Sequence, residues 1–158
     1  MQKEAVNINQ PDALIFQTGI GGSRTIQTLQ WLNIKDTDRI INIGYAGSTY
    51  YKPGEIKTVS QVQKLHPSVT VKDPVINLKP INSLEAVTCY TADSFYENEE
   101  KKEVPLVDME LYYISLIYPQ VQSIKIVSDN AHYQSYKTFN SQNAWAEVND
   151  ILYKISNE

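Results

Sequence analysis

Thr18-Gly19-Ile20-Gly21-Gly22 is the first segment of this 158-residue chain with the makings of a ligand contact. Ile26, Leu29 and Leu32 follow it at helical spacing, so its glycines would bring backbone amides to a ligand at a helix start, where negative charge is favoured. The segment carries neither the lysine of a phosphate-binding loop nor the third glycine of a dinucleotide fingerprint, and a plain turn accounts for it equally well. Two acids stand at comparable junctions. Glu110 follows Asp108-Met109 and opens a pattern through Leu111, Ile114, Ile117 and Tyr118; Asp129 closes the run from Ser123 to Ser128. Each has an ordinary reading, Glu110 as compensation for a helix dipole and Asp129 as a cap or turn former. Phe95 lies between Ser94 and Tyr96 in a polar context, where an aromatic ring either joins the core or lines a pocket.

The elements that must position these residues follow from periodicity. Ala13-Leu14-Ile15-Phe16-Gln17 reads as a strand running into the glycine turn and a helix, and Arg39 to Gly44 as a second strand ending at Tyr45-Ala46-Gly47-Ser48, which together predict a parallel βαβ unit. Glu55 to Val62, Glu85 to Tyr90, Val104 to Val107 and Ser123 to Ser128 are further strands. Pro67, Pro74 and Pro80, with Pro53 before them, break the middle of the chain into loops and short extended pieces. Glu97 to Glu103 is an acidic surface loop, and a closing helix carries Trp145, Val148, Leu152 and Ile155 on one face. Such alternation places a mostly parallel or mixed sheet between helical layers, with ligand sites beyond the carboxyl ends of the strands. That rule selects the Gly19 turn, the Ala46-Gly47 turn, Asp93 to Phe95, Met109-Glu110 and Asp129.

Composition limits the function classes. The length suits one domain, residues 1–158, and 42% hydrophobic with 20% charged residues is an ordinary globular balance. A net charge of -4 gives no electrostatic reason to bind nucleic acid, and no run is long enough to span a membrane or to form a signal peptide, so cytoplasmic residence is expected. Cys89 is a lone thiol expected to be buried, and His66 and His132 stand in no metal-ligand spacing, so no metal is expected. Tyr112, Tyr113 and Tyr118 fall on or near one helix and suit a partly wet subunit contact.

Taken in order, Thr18-Gly19-Ile20-Gly21, Asn42-Ile43-Gly44-Tyr45-Ala46-Gly47, Pro53-Gly54-Glu55-Ile56, Ala92-Asp93-Ser94-Phe95, Val107-Asp108-Met109-Glu110 and Ser128-Asp129-Asn130-Ala131 resemble the purine nucleoside phosphorylase superfamily, most nearly its 5′-methylthioadenosine/S-adenosylhomocysteine nucleosidases. The resemblance runs from about Ala13 to the final helix. It implies an α/β fold, a three-layer mixed sheet flanked by helices, lacking the family's first strand and helix. It also implies hydrolysis of the N-glycosidic bond of a purine nucleoside in purine metabolism and methionine salvage, without cofactor, by a homodimer. By the same resemblance Asp129 acts as acid at the purine N7, Glu110 accepts hydrogen bonds from the ribose hydroxyls, and Met109 packs near the sugar. Phe95 stacks on the base with the Tyr96 backbone at its polar edge, and Ala46, Gly47, Ile20 and Gly21 line the nucleoside pocket. Relatives carry a glutamate that activates the attacking water in an initial loop that this sequence does not contain; Glu4 does not align with it. A nucleoside-binding relative without turnover is therefore the alternative. Tyr45 stands where relatives have a small residue near the water or phosphate pocket, Asn42 where many phosphorylases present arginine, and Arg24 reads as an exposed helix residue, which together disfavour a phosphate-dependent phosphorylase.

Overall fold

The computed structural model describes residues 8–66, 73–98 and 103–157. Along them lie α1 (Gly22–Gln30), β1 (Ile41–Gly47), β2 (Ile56–Lys64), β3 (Ile76–Asn77), β4 (Ala86–Thr91), β5 (Leu106–Asp108), α2 (Leu111–Ile117), β6 (Gln122–Asp129), α3 (Tyr133–Thr138) and α4 (Gln142–Ser156). The strands form a mixed sheet in the order β3-β2-β4-β5-β1-β6, in which β2 also pairs with β6, so the sheet curls back on itself. Pairs β1–β6, β2–β4 and β4–β5 are parallel, whereas β1–β5, β2–β3 and β2–β6 are antiparallel.

β6 is buried along its whole length because it has a neighbour on each edge, α4 over one face, and an apolar cluster and the lining of a cavity against the opposite face. Ile124 and Ile126 point to α4, whose stripe of Trp145, Val148, Ile151, Leu152 and Ile155 recurs at helical spacing and packs on them with Ile56. A second apolar cluster joins Leu29 of α1 and Leu111, Tyr112 and Ile114 of α2 to Val59, Val62, Val87, Cys89 and Leu106 of the sheet, and a small third one holds Ala92, Val104 and Val107. This is the mixed α/β arrangement expected from the alternation of elements, with helices on either side of the sheet. Among the described residues, no helix is long and apolar enough to cross a membrane.

The segment Ala13–Gln17 departs from expectation. It forms no strand, and Leu14 is 86% exposed. A strand exists only where a neighbour satisfies its backbone groups. β1 is paired along its length by β6 and touches β5 at the single register pair Gly47↔Val107, and no described residue pairs with Ala13–Gln17. The βαβ unit is therefore absent, and the Gly19 turn does not follow a strand. β1 begins at Ile41 rather than Arg39 and continues through Gly47, and β5 occupies Leu106–Asp108 rather than Val104 to Val107. α3 was not anticipated, since none of its residues is buried and so it carries no apolar periodicity. Tyr112 lies in the core and the Tyr118 hydroxyl donates to the Leu29 carbonyl at 3.4 Å, so two of the three tyrosines expected at a subunit contact serve the chain's own packing. Residues 99–102 of the acidic loop lie outside the described residues, as does Glu4.

Amide exchange checks this description. The amides of Leu14 to Gln17 are expected to exchange without protection, while those of Ile124 and Ile126 wait for global opening. Comparable protection at the two places would mean that a strand forms where none is described.

Candidate active site

Glu110 is the N-cap residue of α2, yet its side chain does not cap that helix. It turns toward α1, where the Gly21 N–H donates to Oε1 at 2.7 Å and the Met109 N–H donates to Oε2 at 3.3 Å. Gly21 caps α1 at φ +83°, a left-handed conformation that L side chains rarely adopt, and this aims its amide at the carboxylate. The negative charge thus meets the positive end of α1 rather than of its own helix. Burial pushes the Glu110 carboxyl above its ordinary range and the neighbouring Asp108 adds to this, while Lys125 and the two amides work against it.

Asp129 ends β6 and is buried. The Ser128 hydroxyl donates to its Oδ2 at 2.6 Å and the Ala131 N–H donates to Oδ1 at 2.9 Å, an Asx turn that carries Ala131 at φ +61°. The turn-former reading of Asp129 is thus realised, and its carboxyl also faces a cavity. Burial raises the Asp129 carboxyl above its ordinary range despite the hydrogen bonds from Ser128, Ala131 and the His132 amide. Gly47 lies opposite Asp129 across the β1–β6 ladder, where the register slips between Ala46 and Gly47, and a Cβ there would stand 2.7 Å from Asp129 Oδ1. Only glycine lets the two strand ends approach this closely.

Both acids open into one cavity of about 1060 Å³, which Ile20, Ala46, Gly47, Phe95, Tyr96 and Met109 also line. Gly21 serves it indirectly by holding Glu110. Phe95 is half exposed, with its ring edge-on to Tyr133 at 5.4 Å and tilted to Tyr136 at 6.0 Å, so three aromatic side chains border one end. The Tyr96 hydroxyl donates to Asn98 at 3.0 Å. Tyr45 borders the cavity while its hydroxyl accepts the Trp145 Nε1–H at 2.8 Å and its ring packs edge-on to Trp145, Phe139 and Tyr136. Asn42 Oδ1 accepts the Ser123 hydroxyl, Arg24 is exposed on α1, and Cys89 is buried with its thiol pushed well up by burial and by Asp108.

The two histidines have partners that the sequence did not indicate. His132 Nδ1 meets Glu97 at 3.1 Å, and His66 Nε2 meets Asp73 at 2.5 Å. Among the described residues no cluster of three or more His, Cys, Asp or Glu side chains could hold a metal ion.

Sequence reasoning passed over Lys125, Tyr133 and Tyr136, all of which line the cavity. A lysine between Ile124 and Ile126 in a fully buried strand is a legible signal, because an unpaired charge does not stay there. Tyr133 and Tyr136 left a weaker mark: two aromatics three residues apart, just beyond Asp129.

This fold is that of the 5′-methylthioadenosine/S-adenosylhomocysteine nucleosidases (MTAN) and of futalosine hydrolase. The MTAN of Chlamydia trachomatis superposes with a TM-score of 0.63 at 24% identity, over 74% of this chain and 64% of that one. Futalosine hydrolase of Helicobacter pylori gives 0.69 at 17% identity, over 87% and 77%. The nucleosidase of S. pneumoniae gives 0.68 at 19% identity, over 85% and 76%. In the first of these superpositions the chain spans under two thirds of the length of the Chlamydia protein. No protein-family model matches the sequence, and no curated protein does.

Gly47→Ala tests the convergence of the two strand ends. The added methyl displaces the Asp129 carboxyl and is expected to lower stability by about 1–3 kcal/mol, the usual range for overpacking, as read by thermal melting. A parent-like melt would mean that the strand ends have room to spare.

Proposed function

We propose that this chain binds a purine nucleoside in the cavity between Glu110 and Asp129 and hydrolyses its N-glycosidic bond, with an adenosine thioether such as 5′-methylthioadenosine or S-adenosylhomocysteine as substrate and adenine as product. The observation that carries this reading is that a buried acid, Asp129, and a partly buried one, Glu110, from separate strand ends, together with a half-exposed aromatic ring, open into one cavity. The fold relatives add weight: a variant of the Chlamydia trachomatis protein has been solved bound to MTA, and the protein itself bound to adenine.

In this reading the base lies against Phe95 and Tyr96 with N7 toward Asp129. Cleavage moves the bonding pair from C1′–N9 onto the purine and leaves an oxocarbenium ion. Asp129, kept protonated to higher pH by its burial, gives its proton to N7 so that adenine leaves neutral. Water adds its oxygen to C1′, and the proton it releases restores the acid. Glu110 already accepts two backbone amides; its remaining lone pairs accept the ribose hydroxyls, and its charge stabilises the sugar cation. Met109 packs beside the sugar, while Ala46, Gly47 and Ile20 form the wall and Gly21 holds Glu110 in place. No metal or organic cofactor takes part. Homodimerisation and cytoplasmic residence belong to the same reading.

Adenine release from 5′-methylthioadenosine, followed together with calorimetric binding on one sample, tests the proposal. Asp129→Asn is expected to lower kcat about 10²- to 10⁴-fold with binding retained, the usual contribution of a general acid. Because the proton on Asp129 is what the reaction uses, the parent rate should fall as pH rises through the raised value of that group, and this alkaline limb should vanish in the variant. Glu110→Gln is expected to weaken binding about 10- to 100-fold through loss of charge-assisted hydrogen bonds. Binding without adenine release would leave a nucleoside-binding protein; neither binding nor release would end the reading.

A further inference from the structure

Lys125 is charged, fully buried and among the residues lining the cavity. Strand alternation sends Ile124 and Ile126 toward α4 and Lys125 to the opposite face. Its register partner on β1 is Gly44, which has no side chain to stand in the way. The lysine therefore reaches across β1 to β5, where Nζ donates to Asp108 Oδ2 at 2.7 Å. The rest of the Asp108 carboxylate is occupied: the Thr91 hydroxyl donates to Oδ1 at 2.6 Å and the Leu111 N–H donates to Oδ2 at 2.9 Å.

Asp108 and Glu110 flank Met109, so the chain brings two acids close together in a poorly solvated place. Two like charges so placed resist ionising together, and desolvation adds to that resistance. From α1 Glu110 receives only the Gly21 amide, and from the turn before α2 only the Met109 amide. The leading charge effects on it are those of Asp108 from β5, which opposes its ionisation, and Lys125 from β6, which favours it. Burial works to strip Lys125 of its proton, but Asp108, with Glu110, offsets this and holds it cationic. A buried ion pair is in general no more stabilising than well-packed apolar residues, so support of the fold by itself is a poor reason for this one.

We propose that Lys125 is a positioning residue of the cavity: anchored on Asp108, it supplies the countercharge that keeps Glu110 an ionised acceptor aimed at the ligand. In its consequence for hydroxyl recognition this rests on the nucleoside reading; in its electrostatics it does not.

Carbon-13 NMR titration of glutamate-labelled protein, with the Glu110 signal assigned through Glu110→Gln, reads the ionisation without any ligand. In Lys125→Met the Glu110 midpoint is expected to move up by about one pH unit or more, and Lys125→Arg should return it toward the parent. Asp108→Asn, which removes the repelling acid and keeps the cation, should move it down. The double variant Lys125→Met/Asp108→Asn, neutral at both positions, should lie between the two single variants, as opposing charge effects on Glu110 require. Calorimetric titration with 5′-methylthioadenosine should then show binding lost on acidification at a higher pH in Lys125→Met than in the parent. A Glu110 midpoint unmoved in Lys125→Met, or in Asp108→Asn should the former not fold, would overturn the proposal. Shifted midpoints in a protein that takes up no nucleoside would leave the electrostatic role standing and remove only the assigned ligand.

Discussion

Among the described residues, the most deeply buried charged side chains, Lys125, Asp108 and Asp129, gather on β6 and at the end of β5, and the surrounding architecture answers to their cost. Ionised groups are expensive to bury unless paired and hydrogen-bonded. Lys125 meets Asp108 across β1, Asp108 takes a hydroxyl and an amide besides, Glu110 takes two amides, and Asp129 takes a hydroxyl and amides of its own turn. These donors come from β4, β6, the start of α1, the turn before α2, the first residue of α2 and the turn after β6. The elements must therefore stand in their observed relation for the carboxyls to be satisfied.

The closing of the sheet makes this possible. With β2 pairing to β6 as well as β4, β6 lies enclosed and its apolar residues can face α4 without exposure. The carboxyl ends of β1, β5 and β6 are then brought to one side, where Gly47, Asp108 and Asp129 are last in their strands. Glycine at position 47 permits the β1 and β6 ends to touch. The cavity and the two larger apolar clusters are thus products of one strand arrangement, in which side-chain alternation sends Ile124 and Ile126 one way and Lys125 the other.

Much of this was legible in the residues. β6 and α4 announced themselves through apolar runs and stripes, because burial on a period of two or of 3.6 residues leaves its mark on each element separately. The placing of Glu110 and Asp129 after strands drew attention to both. Where burial does not govern an element, as in α3, periodicity had nothing to report. Ala13–Gln17 has a strand's composition, but strand formation is a property of two segments, and the described residues offer it no second one.

By itself the sequence determined the residue types at each junction, the faces of β6 and α4, and an acid at the end of each of the last two strand-to-helix crossings, since these depend on neighbours near in the chain. Only the tertiary structure decided that the Glu110 side chain would leave its own helix for the amide of Gly21, that Lys125 would cross β1 to Asp108, and that Tyr112 would join the core rather than an outer face. Those outcomes turn on charge desolvation and close packing between groups far apart in the chain, and such terms have no value until the chain has brought the groups together.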